Sequence, residues 1–312
     1  MKTITWLKDR ASFPVNKALQ LVELSRSTWF RWSRNGGRKP TPEIHAPKSH
    51  YLLEEEKKAI VAFKREHPEE GYRRLSFMML DEKVAAVSPA SVHRVLQDAG
   101  LSSRWTQPAG AAHRKGFIQP TRPHEQWHTD ITYINVAGTH YFFISVLDGF
   151  SRSIVHHEVR QDMETRDVEI IFERALEKLP ANSPHPRIIS DNGPQYISWD
   201  FKAYLRERQV NHSRTRANHP QSNGKIERFH GSLKRECVRR EPLTSLKSAR
   251  RTIDAYVEIY NTKRLHSALN YLTPWDYLQG SAHIQSRLME RRSLLDAVRE
   301  QRRLVRRRET IH

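Results

Sequence analysis

The sequence predicts an α/β fold in which a mixed β-sheet is covered by helices and preceded by basic helical units. Two β-branched and aromatic runs, at 126 to 136 and 140 to 147, have the composition of strands. Further strand-like segments alternate with segments of helical periodicity after residue 160, which is typical of a sheet with helices packed on it. The first hundred residues have helical patterns only.

Three strands open the predicted sheet as consecutive antiparallel partners at 126 to 136, 140 to 147 and 152 to 160. Ala137-Gly138 and Asp148-Gly149 supply the short turns between them. We expect the remaining elements to be a helix at 164 to 179, strands at 186 to 190 and 210 to 215, and helices at 198 to 208 and 221 to 238. This core should run from 124 to 280.

Residues 1 to 34 have the length of a helix-turn-helix. The first helix is predicted at Val15–Val22 and the second at Ser25–Trp32, where Ser25 can act as N-cap. Residues of the second helix that could face a DNA groove are Arg26, Thr28 and Arg31. Residues predicted to form the small core of this domain are Trp29, Phe30 and Trp32. Residues 35 to 50 are predicted to form a linker, because they are rich in Gly and Pro.

A second helical unit is predicted at 51 to 105. One helix should bury the apolar residues around Leu75 to Leu80, and another should begin at Pro89 with Ser88 as N-cap. Its candidates for contact with DNA are Arg73, Arg74, Ser91 and Arg94. Residues 106 to 123 form a predicted basic linker. Residues 281 to 312 form a predicted basic helix that could pair with a second copy, contact DNA, cover the core or remain solvated.

The chain has 312 residues, a net charge of +18 and a pI near 10.2, which favours a polyanionic partner such as DNA. The longest apolar stretch, Tyr141–Leu147, is too short to span a membrane. No secretory segment follows Met1, so we expect a cytoplasmic, nucleoid-associated protein. The lone Cys237 excludes an internal disulfide and a two-thiolate zinc module.

Three acidic residues stand out. Asp130 interrupts a strand-like run in which aspartate is normally depleted, and Asp191 follows an apolar run and precedes Asn192-Gly193 at a predicted turn. Glu227 lies on the predicted helix at 221 to 238, beside an apolar stripe and on the same face as Asn223, His230 and Lys234. Taken singly, Asp191 could be a turn former and Glu227 a solvated helix residue.

Together, the three carboxylates predict a metal site, because converging negative charges repel one another unless cations neutralise them. Oxygen ligands suit Mg²⁺ or Mn²⁺, and two such ions can assist displacement at a phosphodiester.

The chain resembles the DDE transposases of bacterial insertion sequences, in the retroviral-integrase-like superfamily with an RNase H-like fold. The resemblance covers residues 50 to 280, and its motifs are Trp127–Tyr133, Val146–Arg152, Ser190–Gly193, His219–Arg228 and Tyr260–Leu269 followed by Thr273-Pro274. It implies that Asp130, Asp191 and Glu227 are the catalytic acids and metal ligands, and that Lys234 binds DNA, with an ordinary surface lysine as the alternative for Lys234. It also implies end binding, strand cleavage, strand transfer, and a dimer or larger assembly on double-stranded DNA.

Three other residues in these motifs could contact DNA, and one acidic residue has a structural interpretation. Lys225, Arg228 and His230 are further candidates for DNA contact, although a helix histidine can equally be a partly buried polar residue. Asp148 matches the family pattern, but we interpret it as structural because it ends a strand before Gly149. Many relatives carry an upstream helix-turn-helix and leucine zipper, so a separate upstream transposase polypeptide is a possible partner.

Two other functions use the same features. A nuclease or junction resolvase of this fold would use the three acids and stop after hydrolysis. A transcriptional regulator would keep the helical units and the basic charge, but it would not require the three acids.

Overall fold

The computed structural model describes residues 2–11, 13–34, 52–102, 119–181, 183–215 and 223–311. The chain divides into two compact units, Met1–Tyr51 with Gln301–His312, and Leu52–Glu300. The predicted linker at 35 to 50, most of that at 106 to 123, and residues 219 to 222 of the His219–Arg228 motif lie outside the described residues.

The first unit contains helices α1 (Lys2–Ala11), α2 (Val15–Leu21) and α3 (Arg26–Arg34). Its buried apolar residues are Ile4, Ala18, Leu19 and Trp29. Ser25 acts as predicted, since its Oγ accepts a hydrogen bond from Thr28 N at 3.2 Å. The prediction that Phe30 belongs to the core is wrong, because its side chain is 50% exposed and lies under the Arg26 guanidinium. The side chain of Trp32 lies outside the described residues.

The second unit begins with helices α4 (Glu54–Glu66), α5 (Tyr72–Asp81) and α6 (Pro89–Asp98). The predicted start of α6 is confirmed: Pro89 is the first helical residue and Ser88 Oγ accepts from Ser91 N at 3.2 Å. These helices enclose an apolar cluster, because each contributes one stripe of buried side chains. Its members include Ile60, Phe63, Leu75, Met79, Val92 and Leu96.

Five strands form one mixed sheet: β1 (Gln126–Val136), β2 (Thr139–Asp148), β3 (Ile154–Arg160), β4 (Arg187–Ser190) and β5 (His212–Arg214). Their spatial order is β3-β2-β1-β4-β5. The first three strands pair antiparallel, β4 pairs parallel with β1, and β5 pairs parallel with β4. This confirms the predicted RNase H-like sheet, with its three consecutive antiparallel strands.

Helices follow the sheet as α7 (Thr165–Leu176), α8 (Pro194–Ile197), α9 (Trp199–Glu207), α10 (Gly224–Leu233), α11 (Leu246–Thr262), α12 (Pro274–Leu278) and α13 (Ser281–Ile311). A π-helical turn at Lys234–Val238 extends α10. One apolar cluster joins the sheet to α10 and α11, and a second joins it to α7 and α9. The sheet therefore lies between two helical layers, as expected.

The long helix α11 was absent from the sequence prediction. Its periodicity was nevertheless visible, because Ala249, Ile253, Val257 and Tyr260 recur at helical spacing and are buried.

Within the second unit, Arg291 of α13 joins the end of α5 to the chain before α12. Its guanidinium forms two hydrogen bonds with Asp81, of 2.8 and 2.5 Å, and donates to the backbone carbonyl oxygens of Asn270 and Tyr271. It also lies over the Phe77 ring, 5.1 Å from the centroid. Only 4% of Arg291 is exposed, so its charge depends on these partners.

Arg291→Ala should destabilise the second unit by about 3 kcal/mol, because the partly buried Asp81 carboxylate loses both hydrogen bonds from Arg291 and keeps the more distant Arg287, whose Nη2 lies 3.7 Å away. Urea unfolding followed by circular dichroism would measure the change. The matched control is Arg299→Ala on the same helix. Arg299 forms an ion pair with Asp296 in which both side chains are exposed, so the pair should contribute less than about 1 kcal/mol. Equal losses in the two variants would contradict the role assigned to Arg291.

Candidate active site

The parallel pairing of β1 with β4 brings Asp130 and Asp191 together. Trp127 lies opposite Ile188, and His128 lies opposite Ile189. Continuing this register for two more residues along both segments places Asp130 opposite Asp191. Adjacent strands lie about 4.8 Å apart. The pKa of Asp191 is consistent with this proximity, because it is raised by burial and by the nearby charge of Asp130. The hydrogen bond from Gly193 lowers this pKa and so opposes both effects.

Asp130 is held by its own strand and by a histidine on α10. Its Oδ1 accepts from Ile131 N at 3.0 Å, and its Oδ2 lies 3.4 Å from His230 Nδ1. The other ring nitrogen of His230 is 2.9 Å from Ser145 Oγ, and Ser145 lies opposite Asp130 on β2. Both ring nitrogens of the buried His230 thus face protein atoms. This arrangement favours a role in positioning Asp130, while its contact with DNA stays a prediction.

Asp191 begins the predicted tight turn. Its Oδ1 accepts from Gly193 N at 2.9 Å, and Asn192 Nδ2 donates to Thr215 O at 3.0 Å. A Cβ added to Gly193 would lie 3.1 Å from Asp191 Oδ1, so a larger residue would crowd the carboxylate. The turn therefore fixes the direction in which Asp191 leaves β4.

Tyr196 is a neighbour of both acids, and the sequence did not single it out. The ring is fully buried, and its hydroxyl is 3.0 Å from Thr129 Oγ1 on β1. Burial and the negative charges of Asp130 and Asp191 raise the pKa of Tyr196, so it is a neutral phenol at physiological pH. Ser145 was missed in the same way, although a serine inside the apolar run of β2 was a signal.

The face of α10 that carries Glu227 lies against β1. Asn223 Nδ2 donates to Thr129 O at 3.4 Å, and Lys234 Nζ donates to Thr132 Oγ1 at 2.6 Å. At about 100° per residue, Glu227 shares this face with both contacts and with His230. Glu227 itself is exposed. Within the described residues, no three acidic, histidine or cysteine side chains are close enough to hold a metal ion, so the structure brings two acids together and leaves the third on the facing helix.

The predicted apolar stripe of α10 is buried as expected, since Ile226, Phe229, Leu233 and Cys237 pack against the sheet and α11. The structural interpretation of Asp148 also agrees with its surroundings. Its buried carboxylate accepts from His124 N at 2.9 Å and from Ser151 N and Oγ at 2.7 and 2.6 Å.

Two further basic candidates lie at the start of α10. Lys225 Nζ donates to Gly149 O at 2.8 Å, while Arg228 is exposed. Burial and then repulsion from Arg152 lower the pKa of Lys225 to about 7, although the charge of Asp148 opposes the shift. Lys225 is therefore a weaker cation than an ordinary surface lysine.

The candidates in the helical units differ in accessibility. Arg26, Arg31, Arg73 and Arg94 are exposed, and Thr28 is partly exposed. Arg74 forms a 2.6 Å ion pair with Glu70. Ser91 is buried, and its Oγ lies 3.0 Å from the capping Ser88 Oγ, so it is the least accessible of the group.

Comparison with known proteins identifies the family. Two family models described as integrase core domain match residues 120–220 and 208–274. The putative transposase InsK of insertion sequence element IS150 from Escherichia coli is 25% identical over 86% of this chain and 94% of its own length. The transposase of IS904 from Lactococcus lactis is 35% identical over 52% of this chain and 64% of its own length.

The chain belongs to the DDE transposases of the integrase superfamily. Among solved structures, the simian T-cell lymphotropic virus intasome matches 72% of this chain and 75% of the matched chain, with 19% identity and a TM-score of 0.47. The catalytic core of HTLV-2 integrase in complex with magnesium matches 50% of this chain and 97% of its own length, with 21% identity and a TM-score of 0.39. Of the helices that the structure of this transposase describes, none is long and apolar enough to cross a bilayer.

Asp191→Asn should stabilise the metal-free transposase at neutral pH, because it removes a carboxylate whose ionisation is opposed by burial and by Asp130. The asparagine Oδ1 can still accept from Gly193 N. Because the pKa of Asp191 is raised on folding, the wild type loses stability as the pH rises from the unfolded-state pKa, about 4, through the folded-state pKa. The advantage of Asp191→Asn should therefore be larger at pH 7 than at pH 4.5.

Urea unfolding in the presence of EDTA would test this prediction. Asp162→Asn, at an exposed position before α7, is the matched control and should change the free energy of unfolding little at either pH. A destabilised Asp191→Asn variant at pH 7 would contradict the repulsion between the two acids.

Proposed function

We propose that this transposase binds the ends of a mobile DNA element and catalyses metal-dependent strand cleavage followed by transfer of the freed 3′-hydroxyl to target DNA. The observation that carries the proposal is the pairing of Asp130 with Asp191, beneath the helix that carries Glu227. An Asp191 carboxyl whose pKa is raised by burial and by the charge of Asp130 fits a cation site better than a purely structural role, because the neighbouring negative charges destabilise the fold when no cation is bound.

Asp130, Asp191 and Glu227 would hold Mg²⁺ or Mn²⁺, two ions in the full site. The donors are all carboxylate oxygens, which suit these hard cations. When bound, the ions supply positive charge that offsets the charge developing on the reacting phosphodiester oxygens.

The protein's own contribution is orientation. His230 and Ile131 N fix the two oxygens of Asp130, and the turn at Gly193 fixes Asp191. Lys234, anchored to Thr132 on the same face, would place a positive charge beside the backbone of the bound DNA strand. A water molecule or a 3′-hydroxyl can then attack a phosphodiester that is already aligned.

We also propose that the active form is a dimer or larger assembly on double-stranded DNA of the bacterial nucleoid, because transposition must bring two element ends together. The net charge of +18 supports DNA as the partner. The exposed Arg26, Arg31, Arg73 and Arg94 are the candidates for contact outside the core. An upstream transposase polypeptide could supply additional recognition of the ends.

Glu227→Gln should lower the rate of strand transfer by about 100-fold or more and leave DNA binding in place. The amide keeps the shape of the side chain but removes a metal-binding charge. The assay uses duplexes from the DNA that flanks the coding sequence, with a pre-cut 3′-hydroxyl end, a plasmid target and Mg²⁺ or Mn²⁺. Glu207→Gln, an exposed acid at the end of α9, is the matched control and should join ends as the wild type does.

Each alternative function has its own outcome in this assay. Nicking without joined product, in the wild type and with any upstream polypeptide supplied, would indicate a nuclease. Binding with neither activity would indicate a regulator. Full joining activity in Glu227→Gln would contradict the assignment of the third acid.

A further inference from the structure

Three basic side chains meet at the start of α10, on the side of the helix away from the acids. Lys225 and Arg228 belong to the first turns of α10, and Arg152 follows the turn between β2 and β3. Lys225 joins the two segments, because its Nζ donates to Gly149 O at 2.8 Å in that turn. We call Arg152, Lys225 and Arg228 the cation cluster.

Arg152 is held in an unusual conformation for a charged residue. Its φ is +65°, in the left-handed region that favours glycine, and its backbone N donates to Asp148 O at 2.9 Å. The Nη1 atom is buried, and no acceptor lies within hydrogen-bond distance of it among the described residues. A buried guanidinium nitrogen without an acceptor is costly, so the site is incomplete as it stands.

The nearby carboxylate does not complete it. Asp148 is fully buried and already accepts hydrogen bonds from His124 N, Ser151 N and Ser151 Oγ. Burial and repulsion from Arg228 lower the pKa of Arg152 to about 10, against the favourable charges of Tyr260 and Asp148, so Arg152 is still a cation at physiological pH. The cluster therefore has an excess of positive charge and one buried hydrogen-bond donor without an acceptor among the described residues, which together fit an anion.

The position of the cluster relative to the acids defines which anion it can bind. Lys225 precedes Glu227 by two residues and Arg228 follows it by one, so both lie about 100° to 160° around α10 from Glu227. The side of α10 with Glu227 and the side with Lys225 and Arg228 both begin at the N-terminal end of the helix. The helix dipole also favours negative charge there. A DNA strand whose scissile phosphate lies at the acids could reach the cluster with another phosphate of its backbone.

We propose that the cation cluster is a second phosphate-binding site for the element-end DNA, in which Arg152, Lys225 and Arg228 hold a backbone phosphate outside the scissile position. The inference rests on the proposed function, because it takes DNA as the substrate of the neighbouring acids. The site fixes the path of the strand across α10 and contributes no group to the chemistry. It adds Arg152, on the segment between β2 and β3, to the residues that would bind substrate.

Single neutral methylphosphonate substitutions along the flanking-DNA duplex test the proposal. Affinity is measured in EDTA, so that it does not depend on metal-loaded activity, for the wild type, Arg152→Gln and Arg228→Gln. We expect one or two positions, away from the scissile phosphate, at which the substitution weakens binding by the wild type several-fold. At those positions the methylphosphonate should not weaken DNA binding by either variant any further, because each variant already lacks the contact with that phosphate.

The salt dependence of binding gives an independent measurement. Each variant should reduce the slope of log affinity against log salt concentration by about 0.9, the value expected for one lost phosphate contact on duplex DNA. Arg251→Gln, at an exposed position on α11, is the matched control and should keep the wild-type response to every methylphosphonate. Circular dichroism checks folding. If Arg152→Gln unfolds, Arg228→Gln decides, because its side chain is exposed.

The results separate this inference from the proposed function. Variants that respond to every methylphosphonate as the wild type does, with unchanged slopes, would overturn the phosphate site and leave Arg152 as a packing residue. The proposed function would survive that result if those variants still joined DNA ends. A wild type that binds flanking DNA no better than unrelated DNA and joins no ends would overturn both.

Discussion

The alignment of β1 with β4 is the constraint on which the site depends. It places Asp130 of β1 beside Asp191, the residue that follows β4, and the pairing cannot slip by one residue without turning buried Trp127 and Ile188 to the opposite face of the sheet. Apolar packing elsewhere in the fold therefore offsets the unfavourable free energy of placing two negative charges together. The two apolar clusters, one on each face of the sheet, hold the register that the acids alone would oppose.

Helix α10 is positioned by two kinds of contact that act on different faces. Its apolar stripe packs into the cluster shared with α11, which sets the distance of the helix from the sheet. Its polar face is tied to β1 by Asn223, His230 and Lys234, which fixes rotation about the helix axis. Glu227 lies between these contacts in sequence, so it shares the helix face on which they occur, and its side chain is exposed.

The sequence predicted what depends on local pattern. Strand composition, the Asp-Asn-Gly turn and the stripe of α10 each have a periodic or turn signal, and with the family motifs they indicated Asp130, Asp191 and Glu227 as one site. The contacts between His230, Ser145 and Asp130 could not be predicted, because residues 85 positions apart meet only through tertiary packing. Helix α11 was missed although its pattern was present, whereas Phe30 shows that an aromatic residue in a short helix is not always buried.

The charge pattern of α10 is consistent with the proposal that one helix binds two parts of a polyanionic substrate. Under the proposed function, Glu227 would share cations with Asp130 and Asp191 on the face toward β1, and phosphate binding would require positive charge that does not cancel those acids. The positions of Lys225 and Arg228, about 100° to 160° around the helix from Glu227, would keep the two sites apart at a fixed spacing. Arg152 reaches the same point from the β2–β3 turn, and its left-handed backbone is stabilised by the hydrogen bond to Asp148 O. The buried Asp148 thus stabilises the turn from which Arg152 extends, and under the proposed phosphate site a structural acid in the family motif would have an indirect part in binding DNA.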